Sequence, residues 1–156
     1  MRPKFQSKQS VIINASIEQV WEYNQDLSKI ADYHPRVNKV DLISGKRFRE
    51  VGVEYQCHLK GGKNTCTEKD IEIVPMEKIV TVFPSDTMGL TKLLPDYVVE
   101  STLKKIDDRT TRVEISHFYS SSKLKTWLLN FVIRPKIARE TRDTLNAMKN
   151  KIENGY

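Results

Sequence analysis

The sequence predicts an α+β fold: a curved antiparallel sheet of seven strands, two short helices after the first strand, and one long C-terminal helix laid across the sheet. Three stretches carry that reading. "NASIEQVWEYNQDLSKIADYHP", residues 14–35, holds two short helical patterns that stop at His-Pro. Residues 37–119 change to β-rich segments separated by turn signals, the texture of an antiparallel meander. From residue 122 to about 153, apolar residues recur at three- and four-residue steps, as on one face of a long helix.

Each element has a local reason. "KFQSKQSVII" alternates weakly and ends in aliphatics, giving the first strand. Ser16 and Gln19 have capping-box spacing, so a helix starts there with Ile17, Val20 and Trp21 on one face. Asp26 can cap a second short helix presenting Leu27, Ile30 and Ala31. Pro35 stops it, because the residue before proline disfavours helical dihedrals. Six further strands are expected at 37–43, 51–60, 64–74, 78–83, 97–106 and 111–119, with "PSDTMGLTKLLP" as the longest loop. Period-two alternation puts Val53, Tyr55, Cys57 and Leu59 on one face. Tyr97, Val99, Ser101 and Leu103 share a face in the same way, as do Val113, Ile115, His117 and Tyr119. The long helix shows Leu124, Leu128, Phe131, Ala138, Leu145, Met148 and Ile152, and Pro135 should kink or split it. Such a helix cannot fill the whole concavity of a curved sheet. Two short helices closing one end would leave a hollow.

Bulk composition bounds the rest. The 156 residues suit one domain spanning 1–156, and 38% hydrophobic with 29% charged residues suits a globular chain. No apolar run reaches the ~20 residues of a membrane span, and "MRPKFQSKQS" lacks the apolar core of a signal peptide. With two cysteines only, the expectation is a cytoplasmic protein with free thiols, monomeric or homodimeric. The formal charge of +6 is concentrated in residues 122–154, where eight Lys/Arg face three acids. This reads as a solvated helix face, and no nucleic acid is expected. "KLKTWLLNFVIRPK" is apolar between cations, which also suits weak contact with an anionic membrane surface. The competing expectation, and the favoured one, is that the sheet covers one side of it and the 84–95 loop the other.

The polar residues offer little conventional chemistry. His34, His58 and His117 have no metal-ligand spacing, and neither a metal nor a cofactor is expected. His34 is expected at a helix end and His58 toward solvent. His117 shares a face with Ile115 and Tyr119, as a pocket base or, the favoured reading, a buried histidine satisfied by a tyrosine. A two-residue "GG" turn would set Cys57 opposite Cys66 but would turn Asp70 and Glu72 toward Val53 and Tyr55. A three-residue turn or a bulge would bury Ile71 and Ile73 instead and oppose Cys57 with Thr67, and is preferred on burial. Glu54, Glu68, Asp70, Glu72 and Glu100 are then read as polar-facing. No G-x-S-x-G, P-loop or G-x-G-x-x-G occurs.

"VIINASIEQVWEYNQDLSKIADYHPRVNKV" resembles the opening of the START-like (SRPBCC) superfamily, through Ala15, Val20, Trp21, Asp26 and Tyr33-His34-Pro35. "REVGVEY" with Gly52, "EIVPMEKIVTVF" and "LNAMKNKIE" are similar to its later landmarks, so the resemblance spans essentially the whole chain. It implies a helix-grip fold with an internal pocket for a hydrophobic or amphipathic small molecule such as a lipid, quinone or polyketide. The second reading it implies, less favoured, is a cyclase/dehydratase using a pocket His and Tyr. The expected pocket residues are Tyr55, Cys57, Tyr97, Ser101, His117, Tyr119, Trp127 and Phe131.

Overall fold

The computed structural model describes residues 3–156. Strand β1 (Phe5–Ile13) leads through helix α1 (Ile17–Gln25), a single 3-10 turn (Leu27–Lys29) and helix α2 (Ile30–Tyr33) into β2 (Val37–Asp41). Strands β3 (Glu54–Leu59), β4 (Thr65–Val74) and β5 (Lys78–Asp86) follow. A one-turn helix, α3 (Leu90–Leu93), precedes β6 (Val98–Asp107), β7 (Thr110–Phe118) and the long helix α4 (Leu124–Glu153). The sheet is antiparallel with order β1-β7-β6-β5-β4-β3-β2. β1 and β2 are therefore opposite edges, and the α1–α2 connection crosses the full width of the sheet.

Local chemistry sets these boundaries. Ser16 Oγ accepts from the Gln19 amide and the Gln19 side chain accepts from the Ser16 amide, a complete capping box. Asp26 accepts from the Ser28 amide and starts the 3-10 turn. His34 ends α2, and its Nδ1 accepts from the Arg36 amide. The 84–95 segment is more ordered than expected. β5 runs on through Pro84, and the Asp86 carboxylate accepts from the amides of Met88, Leu90 and Thr91 to found α3. Pro135 sits within α4 without splitting it.

The β3–β4 register departs from expectation. The register is the one a two-residue turn gives, with Gly61 at φ +83, so Cys57 opposes Cys66 and Tyr55 opposes Glu68. Both thiols are free and buried. The burial argument failed because Asp70 has partners. Its carboxylate accepts from Arg49 Nη1 at 2.9 Å on both oxygens and from Thr81 Oγ1 at 2.8 Å. The bulge does exist, one strand further on. Asp70 pairs with Thr81 but Glu72 with Val80, so Ile71 is the extra residue and is 46% exposed. After it, Ile73 faces Ile79 while Glu72 pairs with Lys78.

Arg49 reaches Asp70 because the loop that carries it is strapped to α1. The Leu27 amide donates to the Arg47 carbonyl, and the Arg49 amide to the Gln25 carbonyl. Arg47 forms an ion pair with Asp26 at 2.7 Å. The Arg49 side chain is 8% exposed and that of Asp70 is 0%. Removing one member of such a pair leaves a buried charge uncompensated, at roughly 3–5 kcal/mol. We therefore expect Asp70→Ala to lower the urea-unfolding free energy by about that amount. Arg49→Met/Asp70→Leu together should cost less than the sum of the two single changes.

Candidate ligand-binding site

The inner face of the sheet and the inner face of α4 meet at Leu145, Met148 and Ile152 but not along the whole helix. Between them lies a cavity of about 350 Å³, within the range of small-molecule sites. Period two along the strands decides which side chains reach it: Tyr55, Cys57 and Leu59 from β3, Ile79, Thr81 and Phe83 from β5, Val99 and Ser101 from β6, Ile115 and His117 from β7. Ile133, Ile137 and Thr141 of α4 form the roof, and Ile30, Tyr33 and His34 close one end. Leu90, Leu93, Ile133 and Lys136, all half-buried or exposed, mark where it approaches the surface. At the other side Arg36 and Glu140 form an ion pair at 3.3 Å between the α2–β2 turn and the roof.

Of the eight residues expected to line a pocket, Tyr55, Cys57, Tyr97, Ser101 and His117 are in the cavity wall. Tyr119 is fully buried behind it, its ring edge-on to Tyr97 and its hydroxyl donating to Asn130 Oδ1. Trp127 and Phe131 are outside: they are 65% and 79% exposed on the opposite side of α4. The reason lies in the helix. Thr126 is 1% exposed and donates to the Leu93 carbonyl, which turns the Thr126 side inward and the Trp127–Phe131 side outward. The 84–95 segment does not cover that outward face.

His117 is buried and doubly bonded. Its Nε2 lies 2.8 Å from Thr141 Oγ1 and its Nδ1 2.8 Å from the Tyr97 hydroxyl. The Thr141 hydroxyl donates to the Ile137 carbonyl, so it must accept from Nε2–H, and Nδ1 then accepts from Tyr97. The imidazole is thereby fixed as the neutral Nε2–H tautomer, with both nitrogens in use. Burial, with a smaller effect from His34, lowers its pKa to about 4. His58, expected toward solvent, lies half-buried on the outer face with Nε2 2.6 Å from Asp41.

The sequence reading missed the charged end of the cavity. Arg49 and Glu68 are both in its wall. Arg49 Nη1 donates to the Tyr55 hydroxyl, which donates to Glu68 Oε2, each at 2.9 Å. The Cys57 thiol reaches Glu68 Oε1 at 3.5 Å, and Arg49 Nε donates to the Asn24 carbonyl at 3.0 Å. Burial pushes the Glu68 carboxyl up, against the lowering effects of the Tyr55 hydrogen bond and the Arg49 charge. Burial would lower Arg49, but its Tyr55 and Asp70 neighbours outweigh that and hold it well above its ordinary value. Burial and Glu68 also raise the Cys57 thiol, and burial raises Tyr55. Arg49 sits in a stretch, "GKRFREVG", that reads as loop, and Glu68 was assigned outward by the wrong register. The usable signal was the cluster of potential counter-ions at alternate positions, Glu68 and Asp70, next to a β-strand of apolar alternation.

The profile of the family described as polyketide cyclase / dehydrase and lipid transport matches residues 4–153. The chain belongs to this family. Solved structures share its fold. The ZhuI aromatase/cyclase from Streptomyces sp. R1128 is similar at a TM-score of 0.74 and 18% identity, over 95% of this chain and 93% of the other. Ara h 8.0201 superposes at 0.75 with 10% identity, over 96% and 97% of the two chains. A START superfamily protein from Mycobacterium smegmatis does so at 0.66 with 12% identity, over 97% and 96%. Comparison with curated proteins gives no match. At these identities the neighbours establish the helix-grip fold, and the family suggests binding of hydrophobic ligands or cyclase/dehydrase chemistry. Among the described residues no group of His, Cys, Asp and Glu could hold a metal, and no helix is long and apolar enough to cross a membrane.

The His117 geometry carries a pH dependence. Its pKa is about 4 in the folded protein against 6.5 as the ordinary value, so the unfolded chain binds the extra proton between those limits. Stability is full above pH 6.5 and falls as the pH drops toward 4, by about 3 kcal/mol from this residue. His34, also lowered to about 4, chiefly by burial, acts in the same direction, and the raised Glu68 carboxyl opposes it. Urea titrations of wild type and His117→Asn across this window isolate the contribution: the gap between the two proteins should narrow as the pH falls.

Proposed function

We propose that the protein binds a hydrophobic or amphipathic small molecule, such as a lipid, quinone or polyketide-like compound, between the sheet and α4. The observation that carries this reading is a largely apolar hollow held open under a helix that could have packed flush. Covering ~300 Å² of apolar ligand surface at about 25 cal/mol per Å² contributes several kcal/mol before entropic costs, enough for micromolar binding. Native mass spectrometry of the purified protein, followed by titration with long-chain hydrocarbons, tests it. Val99→Phe, which projects a ring into the space, should weaken hydrocarbon binding at least about tenfold with the fold intact by circular dichroism. Failure of the wild type to retain or take up any apolar molecule would sink the reading. The two unbridged thiols suit a reducing compartment, and we assign the protein to the cytoplasm on that basis.

A cyclase/dehydratase reading also has an observation in its favour, although not at His117, whose nitrogens are both engaged. Glu68, with its pKa raised and Tyr55 beside it, is the group in the cavity able to pass a proton to a bound carbonyl. Under that reading Glu68→Gln abolishes turnover of a poly-β-ketone while binding persists.

The second partner in this proposal is an anionic membrane surface, the natural source of such a ligand. Leu124, Trp127, Leu128, Phe131 and Val132 form an outward stripe on α4, from 51% to 79% exposed. Around it stand Lys123, Lys125, Arg134, Lys136 and Arg139, and residues 115–139 contain no acid. An apolar stripe edged by cations matches the boundary between acyl chains and anionic headgroups. The stripe continues along α4 toward Ile133 and Lys136 at the rim of the cavity. We expect Trp127 emission to shift to the blue on phosphatidylcholine–phosphatidylglycerol vesicles, and not on phosphatidylcholine alone. Lys123→Glu/Lys125→Glu should weaken vesicle binding by more than about tenfold. If the stripe instead pairs two copies, sedimentation will show a dimer that Phe131→Ser dissociates, and the membrane assignment fails.

A further inference from the structure

The charged end of the cavity contains a donor that the protein leaves unused. Asn24 lies on α1, is 4% exposed and belongs to the cavity wall, yet its Nδ2 has no hydrogen-bond partner among the described residues. Buried polar groups in folded proteins are nearly always paired, and an orphaned one costs stability. Asparagine is also a poorer helix former than the leucine that could fill the same buried position. Beside it, Arg49 Nε is held by the Asn24 carbonyl and Nη1 by Tyr55 and Asp70, and the Tyr33 hydroxyl also bonds to the Arg49 side chain. One residue's backbone thus anchors the guanidinium next to its own unpartnered amide.

We infer that Asn24 Nδ2, beside the anchored Arg49 guanidinium, forms a subsite for an uncharged oxygen of the ligand, a ketone, quinone or alcohol oxygen, with the hydrocarbon part lying along Val99, Ile115 and Ile137. The inference rests on the carrier reading and specifies its chemistry. An amide nitrogen can only donate, so the ligand atom that meets it is an acceptor such as a carbonyl oxygen. The charge count rejects a carboxylate. Arg49 is already matched by Asp70 at 2.9 Å, and Glu68 is linked to it through Tyr55. A ligand carboxylate would add a further acid to one guanidinium and two carboxyl groups in an apolar enclosure, where an unbalanced charge is strongly disfavoured. The remaining charged groups at the cavity, Arg36 with Glu140 and Lys136, belong to its surface side and leave the Asn24 end unaltered.

Three probes of matched chain length separate the possibilities: an n-alkane, a methyl ketone and the fatty acid, titrated into wild type at neutral pH by calorimetry or native mass spectrometry. The methyl ketone should bind about tenfold more tightly than the alkane, the value of one good buried hydrogen bond, and the fatty acid more weakly than the ketone by at least as much. Asn24→Leu should remove the ketone's advantage over the alkane and raise the melting temperature, because it deletes an orphaned donor. A fatty acid that binds as tightly as the ketone overturns the inference, as does a ketone no better than the alkane. These two comparisons use wild type only and stand even if the variant misfolds. Loss of alkane and ketone binding alike would instead remove the carrier reading itself.

Discussion

The Arg49–Asp70 ion pair is the constraint on which the interior depends. A guanidinium and a carboxylate taken out of water are tolerated only if each is fully partnered. Here the partners come from α1 through the Asn24 carbonyl, from β3 through Tyr55, from β5 through Thr81 and from the loop before β3. A one-residue slip of β4 against β3 would turn Asp70 to solvent and leave Arg49 charged and alone, so the pair fixes the register that simple burial counting rejects. The bulge at Ile71 then reconciles that register with the next strand pairing, returning Ile73 to the inner face opposite Ile79.

The same arrangement explains why the middle of the molecule is not filled. The polar network occupies one end, and the paired His117, Tyr97 and Thr141 stand across from it on the sheet and roof. Neither can be approached by an aliphatic side chain without displacing hydrogen bonds. Solid packing is instead concentrated at the α1–α2 side, where Ile13, Val20, Leu27, Val113, Leu145 and Met148 form a continuous core. A protein built this way separates its stability from its contents. Neighbours sharing only 10–18% of its residues reach the same fold because element order and facing, more than particular side chains, dictate it.

Helix α4 divides its labour along its length. Thr141, Thr144, Leu145, Met148 and Ile152 are buried, whereas Leu124, Trp127, Leu128 and Phe131 face out. The positions 124, 131, 138, 145 and 152 read as one stripe because they recur every seven residues. A straight helix drifts about 20° per such repeat, or about 80° over four, so the two ends of that stripe cannot face the same surface. The drift rotates the N-terminal apolar residues away from the sheet. It supplies an exposed aromatic surface next to the rim without interrupting the helix.

The sequence alone determined the order of the seven strands, the two short helices and the long helix, the capping of the short helices, the inward faces of β3, β6 and β7, and the burial of His117 against a tyrosine. All of these follow from short-range periodicity or from contacts within a few residues, which one chain read linearly contains. Only the tertiary structure decided that Cys57 faces Cys66, that Glu68 and Asp70 point inward, that Tyr119 stands behind the cavity wall, and that Trp127 and Phe131 lie outside it. Those outcomes turn on partners 13 to 33 residues apart, namely Arg49 with Asp70, Tyr55 with Glu68, and Thr126 with the Leu93 carbonyl. A buried charge is unfavourable until its counter-ion is known, and the counter-ion becomes known only when the chain has closed on itself.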